Sequence, residues 1–512
     1  MTIDPPLDPS RQTKALKFDF RDLSADATSK SLKKMPSAWK DYFGVHCGLS
    51  YYFGLAEALH NYKGMLGVNF NTLRGCEKAA HNFHRAEVTK SEDKPLREGP
   101  FAGPPFRFEL DDIGTYFGGR YRPFTDMMPE LIQQDTKVVF ITTHLAPPTD
   151  TGLDKNKLYW QVRLLHEAFP EAKDIIRWQV GNEVQSEHFD PLGYRRLNQE
   201  LGYQKYSYNS GQKLGFYINM YLAPALEAIQ KASEDVYGDK RAITTFLGST
   251  VGHYETWLFP ILDAKFDTDQ APTLNGQEVW KHIRGVCPHY SLGGTGLDNL
   301  QKIVDQYVKT DKIDDIWITE SYGWGGRGPV SIIEQGFNFL TWAAKNDFDA
   351  NEARVIWWGA DAEKAGGSGL SMVNTLGTFL ANRDFHYMHQ TDDAANIYVV
   401  ADSDSRDLER FYVVVSPKFH GEHDTAEEAE LDLKFDPRST GARRIDLRTL
   451  EIDLPKGAAK KNWTARGVQY SAYIPPQETT VPVSVEDGKL KAEINRRIVE
   501  PYILFVGLRS KP

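Results

Sequence analysis

Short apolar runs alternate with longer amphipathic stretches between residues 40 and 375, and this alternation constrains the fold more than any other feature of the sequence. The stretches carry apolar residues at i, i+3 and i+4 spacing, which predicts helices between strands and therefore an α/β fold with a parallel sheet. The eight predicted strands are Phe43–Gly48, Leu66–Leu73, Val138–Thr143, Ile175–Val180, Ile243–Leu247, Val286–Tyr290, Asp315–Thr319 and Arg354–Trp358. The clearest predicted helices are Leu158–Ala168, Phe216–Ser233, Leu297–Val308 and Ile332–Lys345.

Eight strands joined by helical crossovers predict a (β/α)₈ TIM barrel. An open doubly wound sheet is the alternative, and it would need a G-x-G-x-x-G turn after an early strand, which residues 64–75 do not supply. Between the second and third strands, residues 75–128 form a long polar insertion with frequent Pro and Gly. We expect this insertion to be a loop on one face of the barrel.

After residue 378 the apolar residues recur with a period of two, which predicts short strands and an antiparallel β-sandwich. The dipeptide Asp487-Gly488 predicts a hairpin turn. The domain prediction is an N-terminal segment 1–35, whose residues 16–20 would add an edge strand to the sandwich, a barrel 36–377 and a sandwich 378–512. The predicted sandwich strands are Ile397–Val400, Phe411–Val415, Glu430–Phe435, Ile445–Leu454, Val481–Val485, Leu490–Ile494 and Tyr502–Val506.

Composition excludes several classes of protein. Lys and Arg number 60 against 70 Asp and Glu, giving a net charge of −10, and no basic stripe is visible, so we expect no nucleic-acid partner. No apolar run is long enough to predict a membrane-spanning helix. The first six residues lack the features of a secretory signal, which predicts a cytoplasmic protein if this start is native and a secreted or periplasmic one if it is trimmed.

The cysteine count predicts reduced thiols. Three cysteines, Cys47, Cys76 and Cys287, are an odd number and include no C-x-x-C pair, so neither a full disulfide framework nor a thiolate zinc site is expected. We expect all three to be buried core residues.

Two glutamates stand out because each lies at or just beyond the end of a predicted barrel strand. Glu183 ends the stretch Trp178-Gln179-Val180-Gly181-Asn182-Glu183, and Glu320 follows Ile316–Thr319. Working residues of barrels lie at the carboxyl ends of strands, so the two side chains are expected to meet across the barrel mouth. Paired carboxylates suit acetal cleavage, in which one protonates the leaving oxygen and the other attacks the anomeric carbon. The alternative is that Glu183 caps a helix and Glu320 forms a salt bridge.

The acid of such a pair needs apolar or like-charged neighbours to hold its proton at neutral pH. We expect Trp178 and the facing glutamate to supply these two influences on Glu183.

These residues resemble the clan A glycoside hydrolases, in which an Asn-Glu pair ends strand four and a second Glu ends strand seven of a (β/α)₈ barrel. The resemblance covers about residues 40–375, and a trailing β-sandwich is frequent in the clan. It implies that Glu183 is the acid/base, Glu320 the nucleophile and Asn182 the group that binds the sugar 2-hydroxyl. The sequence departs from the clan at Val184, where proline is usual, and the family within the clan is not resolved.

The resemblance also implies roles for three residues on other strands. Tyr290 matches a strand-six tyrosine that donates a hydrogen bond to the nucleophile. Trp358 matches a strand-eight aromatic residue that floors the sugar subsite. Arg74 matches an arginine that keeps the nucleophile ionised, a role suited to its permanent charge.

Four further residues are candidates for binding the substrate. His46 lies on predicted strand one, His144 follows strand three and His289 lies at the end of strand six. Each of these histidines is either a substrate ligand or a hydrogen-bonded barrel histidine. Trp324 lies in the glycine-rich stretch 323–328 after the second glutamate. It is either a stacking platform for a sugar ring or a packing residue of the loop.

The sequence therefore predicts a retaining glycoside hydrolase that cleaves an oligo- or polysaccharide by double displacement, with no metal and no cofactor. One alternative is a non-catalytic carbohydrate-binding barrel. A second is a metal-dependent hydrolase that uses His46, His144 and His289, although an H-x-H on strand one is missing. We expect the long insertion, residues 75–128, to help decide between exo and endo action. The sugar, the linkage and the oligomeric state remain open.

Overall fold

The computed structural model describes most of the chain, and all structural statements below refer to these ranges. They are residues 14–19, 34–35, 39–46, 72–75, 91–117, 120–126, 128–133, 135–142, 152–185, 211–292, 296–322, 328–358, 385–391, 395–403, 405–417, 445–469, 477–498 and 502–508. By contacts the chain divides into two units, one of residues 41–321 and 348–358 and the other of residues 1–40, 322–347 and 359–512. The predicted domain boundaries stay a prediction.

The described strands fall into a barrel, three two-stranded sheets and two larger sheets. In chain order they are β1 (Lys14–Asp19), β2 (Lys34–Met35), β3 (Phe43–His46), β4 (Thr72–Gly75), β5 (Leu96–Arg97), β6 (Phe106–Arg107), β7 (Gly114–Phe117), β8 (Arg120–Pro123), β9 (Lys137–Ile141), β10 (Ile176–Val180), β11 (Thr244–Leu247), β12 (Thr250–Val251), β13 (Gly285–Val286), β14 (Pro288–His289), β15 (Asp315–Tyr322) and β16 (Ala353–Trp358). They continue as β17 (Phe385–Thr391), β18 (Ala395–Ala401), β19 (Arg410–Pro417), β20 (Ile445–Asp453), β21 (Trp463–Gln469), β22 (Gln477–Val481), β23 (Val483–Glu486), β24 (Lys489–Ile498) and β25 (Tyr502–Leu508).

Eight of these strands close into a barrel in chain order, β3-β4-β9-β10-β11-β13-β15-β16, and β16 pairs in parallel with β3 to complete the ring. Every residue of β9 and β10 is buried, as expected for parallel strands covered on both faces. Helices in the crossovers complete an architecture that fits a TIM barrel.

Along the sequence, the helices alternate with the barrel strands, as the periodicity predicts. They are α1 (Met128–Gln133), α2 (Lys155–Ala168), α3 (Ala172–Ile175), α4 (Gly211–Phe216), α5 (Ala223–Tyr237), α6 (Phe259–Leu262), α7 (Gly296–Ile303) and α8 (Gly328–Lys345). Three π-helical segments adjoin these helices: Tyr217–Leu222 connects α4 to α5, Tyr254–Leu258 precedes α6, and Val304–Val308 follows α7. Short 3₁₀ turns occupy Trp39–Tyr42, Ser91–Asp93, Leu110–Asp112, Phe124–Asp126, Val279–His282 and Ala458–Lys460. Such π segments are rare and often occur near functional sites.

A cluster of buried side chains from several strands fills the barrel interior. Its members are Val139, Phe246, Cys287, Trp317 and Ile356. The interior is therefore a packed core rather than a pore. Cys287 is a buried thiol outside any disulfide, which confirms its prediction, whereas Cys47 and Cys76 lie outside the described residues.

The predicted sixth strand, Val286–Tyr290, is divided in the structure. Only β13 joins the barrel, while β14 pairs with β12 in a separate two-stranded sheet. Pro288 gives a physical reason, since it has no N–H to donate to a ladder. The described part of the second barrel strand is Thr72–Gly75, and residues 66–71 of the predicted strand lie outside the described ranges.

The described part of the insertion forms two hairpins, β5–β6 and β7–β8, and contacts helix α2. Asn156 holds it with both ends of its amide, since Oδ1 accepts from the Phe101 N–H at 3.1 Å and Nδ2 donates to the Phe101 carbonyl at 3.0 Å. Arg97 stacks 4.8 Å above the Trp160 ring. The influence of the insertion on exo or endo action stays a prediction.

The remaining strands form a four-stranded sheet, β1-β20-β24-β23, and a seven-stranded sheet, β2-β17-β18-β19-β25-β21-β22. Apolar side chains from both sheets belong to one buried cluster, which includes Val413 and Leu504 of the larger sheet and Leu450 and Leu490 of the smaller. These sheets fit a β-sandwich. Their pairing is antiparallel except for β1, which pairs in parallel with β20 at the edge of the smaller sheet.

The Asp487-Gly488 turn is confirmed. Glu486 pairs with Lys489, so these two residues alone connect β23 and β24, and both have positive φ (+50° and +82°) as a type I′ turn requires. The predicted strand Glu430–Phe435 lies outside the described residues. Across the described ranges, no helix combines the length and apolar character needed to cross a membrane.

Candidate active site

One imidazole lies between the two glutamates at the mouth of the barrel. His289 Nδ1 is 3.2 Å from Glu183 Oε1 and 3.4 Å from Glu320 Oε2. One donor atom from each of the three residues lies within 4.8 Å of the other two. The exposed fraction is 0% for the His289 side chain, 5% for Glu320 and 15% for Glu183. The structure thus brings these three sequence-predicted residues together, with Glu183 the most accessible.

Tyr290 contacts Glu320 with both its side chain and its backbone. Its hydroxyl donates to Glu320 Oε2 at 2.6 Å, and its N–H donates to the Glu320 carbonyl at 2.8 Å. Glu320 lies within β15, which runs on to Tyr322 instead of ending at Thr319. A charge-assisted hydrogen bond of this length favours the ionised form of Glu320.

The loop after β10 is held by the loop after β11. Ser249 Oγ accepts from the Glu183 N–H at 2.8 Å and donates to Asn182 Oδ1 at 3.0 Å. The backbones also pair, because Val184 N–H donates to the Ser249 carbonyl and Ser249 N–H donates to the Gly181 carbonyl. Asn182 is buried, and its Oδ1 is fixed as an acceptor.

Tyr217, in the first π-helical segment, fastens these two loops together. Its hydroxyl donates to the Val180 carbonyl at 2.7 Å and accepts from the Gly248 N–H at 3.0 Å. Burial raises the pKa of Tyr217 well above its usual value, so the hydroxyl keeps its proton. Gly248 approaches so closely that a Cβ there would overlap the Val180 carbonyl, the Tyr217 hydroxyl and Val184.

Glu183 and Tyr290 both have left-handed backbone conformations, with φ of +46° and +52°. The other non-glycine residues with positive φ in the described ranges are Asp, Asn or His, the types that adopt this conformation most readily. Strained backbone of this kind persists only where surrounding contacts hold it, and it concentrates at functional sites. The contacts from Ser249 to Glu183, and from the Glu320 carbonyl to Tyr290, are of that kind.

A chain of buried side chains runs from His289 back to the loop. His289 Nε2 is 3.1 Å from Thr319 Oγ1, which donates to Gln179 Oε1 at 2.8 Å. Gln179 Nε2 donates to the Gly181 carbonyl at 2.8 Å and also lies 3.2 Å from Ser249 Oγ. Thr319, Gln179 and Ser249 were not predicted, although each lies at or next to a strand end, the position that singled out the glutamates.

The expectation that Trp178 neighbours the acid is wrong. Its indole N–H donates to His166 Nε2 at 3.1 Å, and its ring makes an edge contact with Phe140 at 5.5 Å. Successive residues of a strand face opposite sides. Gln179 reaches the site through its contact with Thr319, so Trp178 packs on the other side, against α2.

The other candidates are placed only in part. His46 ends β3 and is the strand partner of Arg74, which lies inside β4 rather than after it. Trp358 ends β16. The side chains of these three, and the whole of His144 and Trp324, lie outside what the structure describes, so their roles stay predictions.

Within the described residues, Glu183, His289 and Glu320 form the group whose donor atoms match the spacing of a metal site. Carboxylate and imidazole ligands of this kind suit a divalent cation. The contacts among the three also have hydrogen-bond distances, and Glu320 Oε2 already accepts from Tyr290. The expected absence of a metal stays a prediction, to be tested with a chelator.

No protein-family model matches this chain, and no curated protein matches it. Among solved structures, it is similar to a 4-O-α-L-rhamnosyl-β-D-glucuronidase from Fusarium oxysporum 12S, with 11% identity and a TM-score of 0.44 over 96% of this chain and 100% of the other. It is similar to a β-porphyranase of glycoside hydrolase family 86 from Bacteroides plebeius, with 10% identity and a TM-score of 0.44 over 97% and 76%. It is also similar to a family 51 α-L-arabinofuranosidase from Bifidobacterium longum, with 9% identity and a TM-score of 0.42 over 93% and 96%.

Proposed function

We propose that this protein is a retaining glycoside hydrolase that cleaves its substrate by double displacement. The catalytic (β/α)₈ barrel would comprise residues 36–377 and the companion sandwich residues 378–512. The observation that carries the proposal is the placement of Glu183 and Glu320 at one imidazole, with oxygens within 4.8 Å. Retaining enzymes hold their carboxyl groups about 5–5.5 Å apart, whereas inverting enzymes need about 6.5–9.5 Å to admit water.

In this mechanism Glu320 is the nucleophile and Glu183 the acid/base. Glu320 Oε2 accepts the Tyr290 hydroxyl hydrogen bond, which supports its ionised form. It attacks the anomeric carbon while Glu183 delivers a proton to the departing oxygen, and a covalent glycosyl-enzyme forms. Glu183 then removes a proton from water, which attacks the same carbon, releases Glu320 and leaves the configuration unchanged.

The sugar would lie against Glu183, the more exposed of the two carboxylates. Asn182, held through Oδ1 by Ser249, would donate from Nδ2 to the sugar 2-hydroxyl. A contact of this kind strengthens as charge develops in the transition state. His46, Arg74, His144, Trp324 and Trp358 would complete the sugar subsite.

The test is the anomeric configuration of the first product. A panel of aryl glycosides and polysaccharides would be screened for hydrolysis, and the product of an active substrate followed by ¹H NMR before mutarotation. Retention is expected. Inversion would contradict the assigned roles of the two glutamates.

The alternative is a non-catalytic carbohydrate-binding barrel. It predicts measurable binding of a glycan by calorimetry with no turnover over the whole panel. A metal-dependent hydrolase would instead lose activity on treatment with a chelator and regain it when a divalent cation is restored. Activity that a chelator leaves unchanged is the outcome expected here.

A further inference from the structure

The donor and acceptor of each hydrogen bond in the series from Gly181 through Gln179 and Thr319 to His289 can be assigned. The series begins at the Gly181 carbonyl, which can only accept. The Gly181 carbonyl faces Gln179 at 2.8 Å, so the amide atom at that position must be the Nε2 donor. The other end of the same amide is then Oε1, which can only accept. It lies 2.8 Å from Thr319 Oγ1, and the Thr319 hydroxyl must therefore donate its one hydrogen to Gln179.

The orientation of Thr319 in turn fixes the tautomer of His289. With its proton donated to Gln179, the Thr319 oxygen can only accept from His289 Nε2, which lies 3.1 Å away. His289 Nε2 must then carry a hydrogen. A neutral imidazole has a hydrogen on one nitrogen only, so Nδ1 is left with a lone pair.

That lone pair faces two carboxyl groups. His289 Nδ1 lies 3.2 Å from Glu183 Oε1 and 3.4 Å from Glu320 Oε2. A lone pair and an ionised oxygen repel each other at this distance, so the group needs one further proton. Glu320 Oε2 already accepts from the Tyr290 hydroxyl at 2.6 Å, which leaves the line between His289 Nδ1 and Glu183 Oε1 as the place for it.

We propose that Gln179 and Thr319 are positioning residues that hold His289 as the Nε2–H tautomer and thereby keep the proton of the acid between His289 Nδ1 and Glu183. This inference deepens the proposed function, on which its catalytic half rests. If His289 could change to the Nδ1–H tautomer, that hydrogen would satisfy Glu183 in its ionised form. The acid would then lack the proton that the leaving group requires.

The first test needs no substrate. Long-range ¹H–¹⁵N correlation spectra of the chelator-treated protein with ¹⁵N-labelled histidine rings report which ring nitrogen carries hydrogen, and His289→Asn identifies the signal. We expect a protonated Nε2 in the wild-type protein and in Thr319→Ser, which keeps the hydroxyl. Thr319→Val removes the acceptor, so the signal should change to that of a protonated Nδ1. An unprotonated Nε2 in the wild-type protein would overturn the inference, as would a Thr319→Val spectrum with an unchanged tautomer.

The second test separates proton donation from general damage. With an active aryl glycoside series, Thr319→Val should lower kcat by at least about tenfold for leaving groups that need a proton, since general acid catalysis contributes about 10²–10⁴-fold. For strongly activated leaving groups the change in kcat should stay within about twofold. Thr319→Ser, which keeps the hydroxyl, should show the wild-type kcat for both kinds of leaving group. An equal loss for all leaving groups would overturn the proposed role. Gln179→Leu interrupts the same series of hydrogen bonds at another residue, and its effect on the His289 tautomer is measured with the same ¹H–¹⁵N spectra.

The two proposals fail in different ways. A protein that hydrolyses no glycoside but shows the Nε2–H tautomer would overturn the proposed function and support the tautomer assignment. An active retaining enzyme with an unprotonated His289 Nε2 would overturn only the inference made here.

Discussion

The hydroxyl of Ser249 accepts the backbone N–H of Glu183 at 2.8 Å, across 66 positions of sequence. The same oxygen donates to Asn182 Oδ1, so one small side chain holds the backbone of the proposed acid and the amide of its neighbour. The proposed site is therefore supported by the loop after β11, which contributes no carboxylate of its own to the group.

Ser249→Ala should lower kcat/KM by about 10–100-fold, because Glu183 and Asn182 both lose their support. The free energy of unfolding should fall by about 1–3 kcal/mol, the cost of leaving buried polar groups unsatisfied. Ser233→Ala is the matched control, since this buried hydroxyl also bonds two backbone groups, the Asp239 carbonyl and the Ile243 N–H. It should cost similar stability in a denaturant titration and leave kcat/KM unchanged; equal activity losses would contradict the role of Ser249.

Glu320→Gln should remove hydrolysis to below about 10⁻³ of the wild-type kcat, because the amide cannot act as a nucleophile. Glu183→Ala should lose activity on ordinary glycosides and regain part of it with azide on an activated aryl glycoside, since azide can attack the glycosyl-enzyme without a base. Glu227→Gln is the control, a buried glutamate paired with Lys155. Activity in Glu320→Gln comparable to that of Glu227→Gln would eliminate the proposed mechanism.

Tyr290→Phe should lower kcat by about 10²-fold with little change in KM, because it removes one donor to the ionised Glu320. Tyr307→Phe is matched in chemistry, since its buried hydroxyl donates to a carboxylate, Asp263 Oδ2, at 3.1 Å. We expect normal kinetics for Tyr307→Phe in steady-state assays. A Tyr290→Phe enzyme as active as this control would show that the hydrogen bond to Glu320 is dispensable.

Gly248→Ala should impair both stability and activity. The added methyl group would overlap the Val180 carbonyl and the Tyr217 hydroxyl, so the strand ends that carry Glu183 and Ser249 would have to separate. We expect a loss of about 1–3 kcal/mol, typical of overpacking. Gly215→Ala, in helix α4 at a position where an added Cβ would meet no neighbouring atom, should instead stabilise the fold by about 0.4–1 kcal/mol. Thermal melts and kinetics of both variants would decide, and an unaffected Gly248→Ala would refute the close packing.

Acid should destabilise the barrel through His166. Burial lowers the pKa of His166 to about 3, and its Nε2 accepts from Trp178, so the folded state resists protonation. The unfolded chain binds the proton near pH 6.5, so stability is complete above that pH and is lost as pH falls towards 3. By pH 5 the loss should be about 2 kcal/mol. The glutamine in His166→Gln cannot titrate, so the unfolding free energy of this variant should fall by about 2 kcal/mol less than that of the wild-type protein between neutral pH and pH 5. Equal losses of unfolding free energy in the two proteins would contradict the role of His166.

The two glutamates could be predicted because the working residues of a barrel lie at the carboxyl ends of its strands. A barrel brings these strand ends together whatever the details of its loops. The same reasoning applies equally to Ser249, which directly follows Gly248 at the end of β11, but a serine carries no charge and does not stand out. The alternation of side chains along a strand could have corrected the expectation for Trp178. Trp178 and Gln179 are neighbours in one strand and must point to opposite faces, so only one of them can face the site.

Other features depended on tertiary contacts that no local pattern reveals. The left-handed conformation of Glu183 runs against the preference of its residue type, and contacts from a distant loop hold it. Strand β21 escaped prediction because Gly467 interrupts its apolar pattern. The structure explains that glycine, since a Cβ there would overlap the Tyr502 ring.

Strand β1 completes the edge of a sheet whose next strand, β20, is separated from it by 425 residues of chain. At about 5–20 residues per second, a ribosome needs about 20–85 s to make the intervening segment. During synthesis the amino-terminal strand must therefore wait unpaired while the barrel sequence emerges. Deleting residues 14–19 would leave β20 with an open flank, and such edges template association between chains. The cost of that deletion would appear as aggregation during expression.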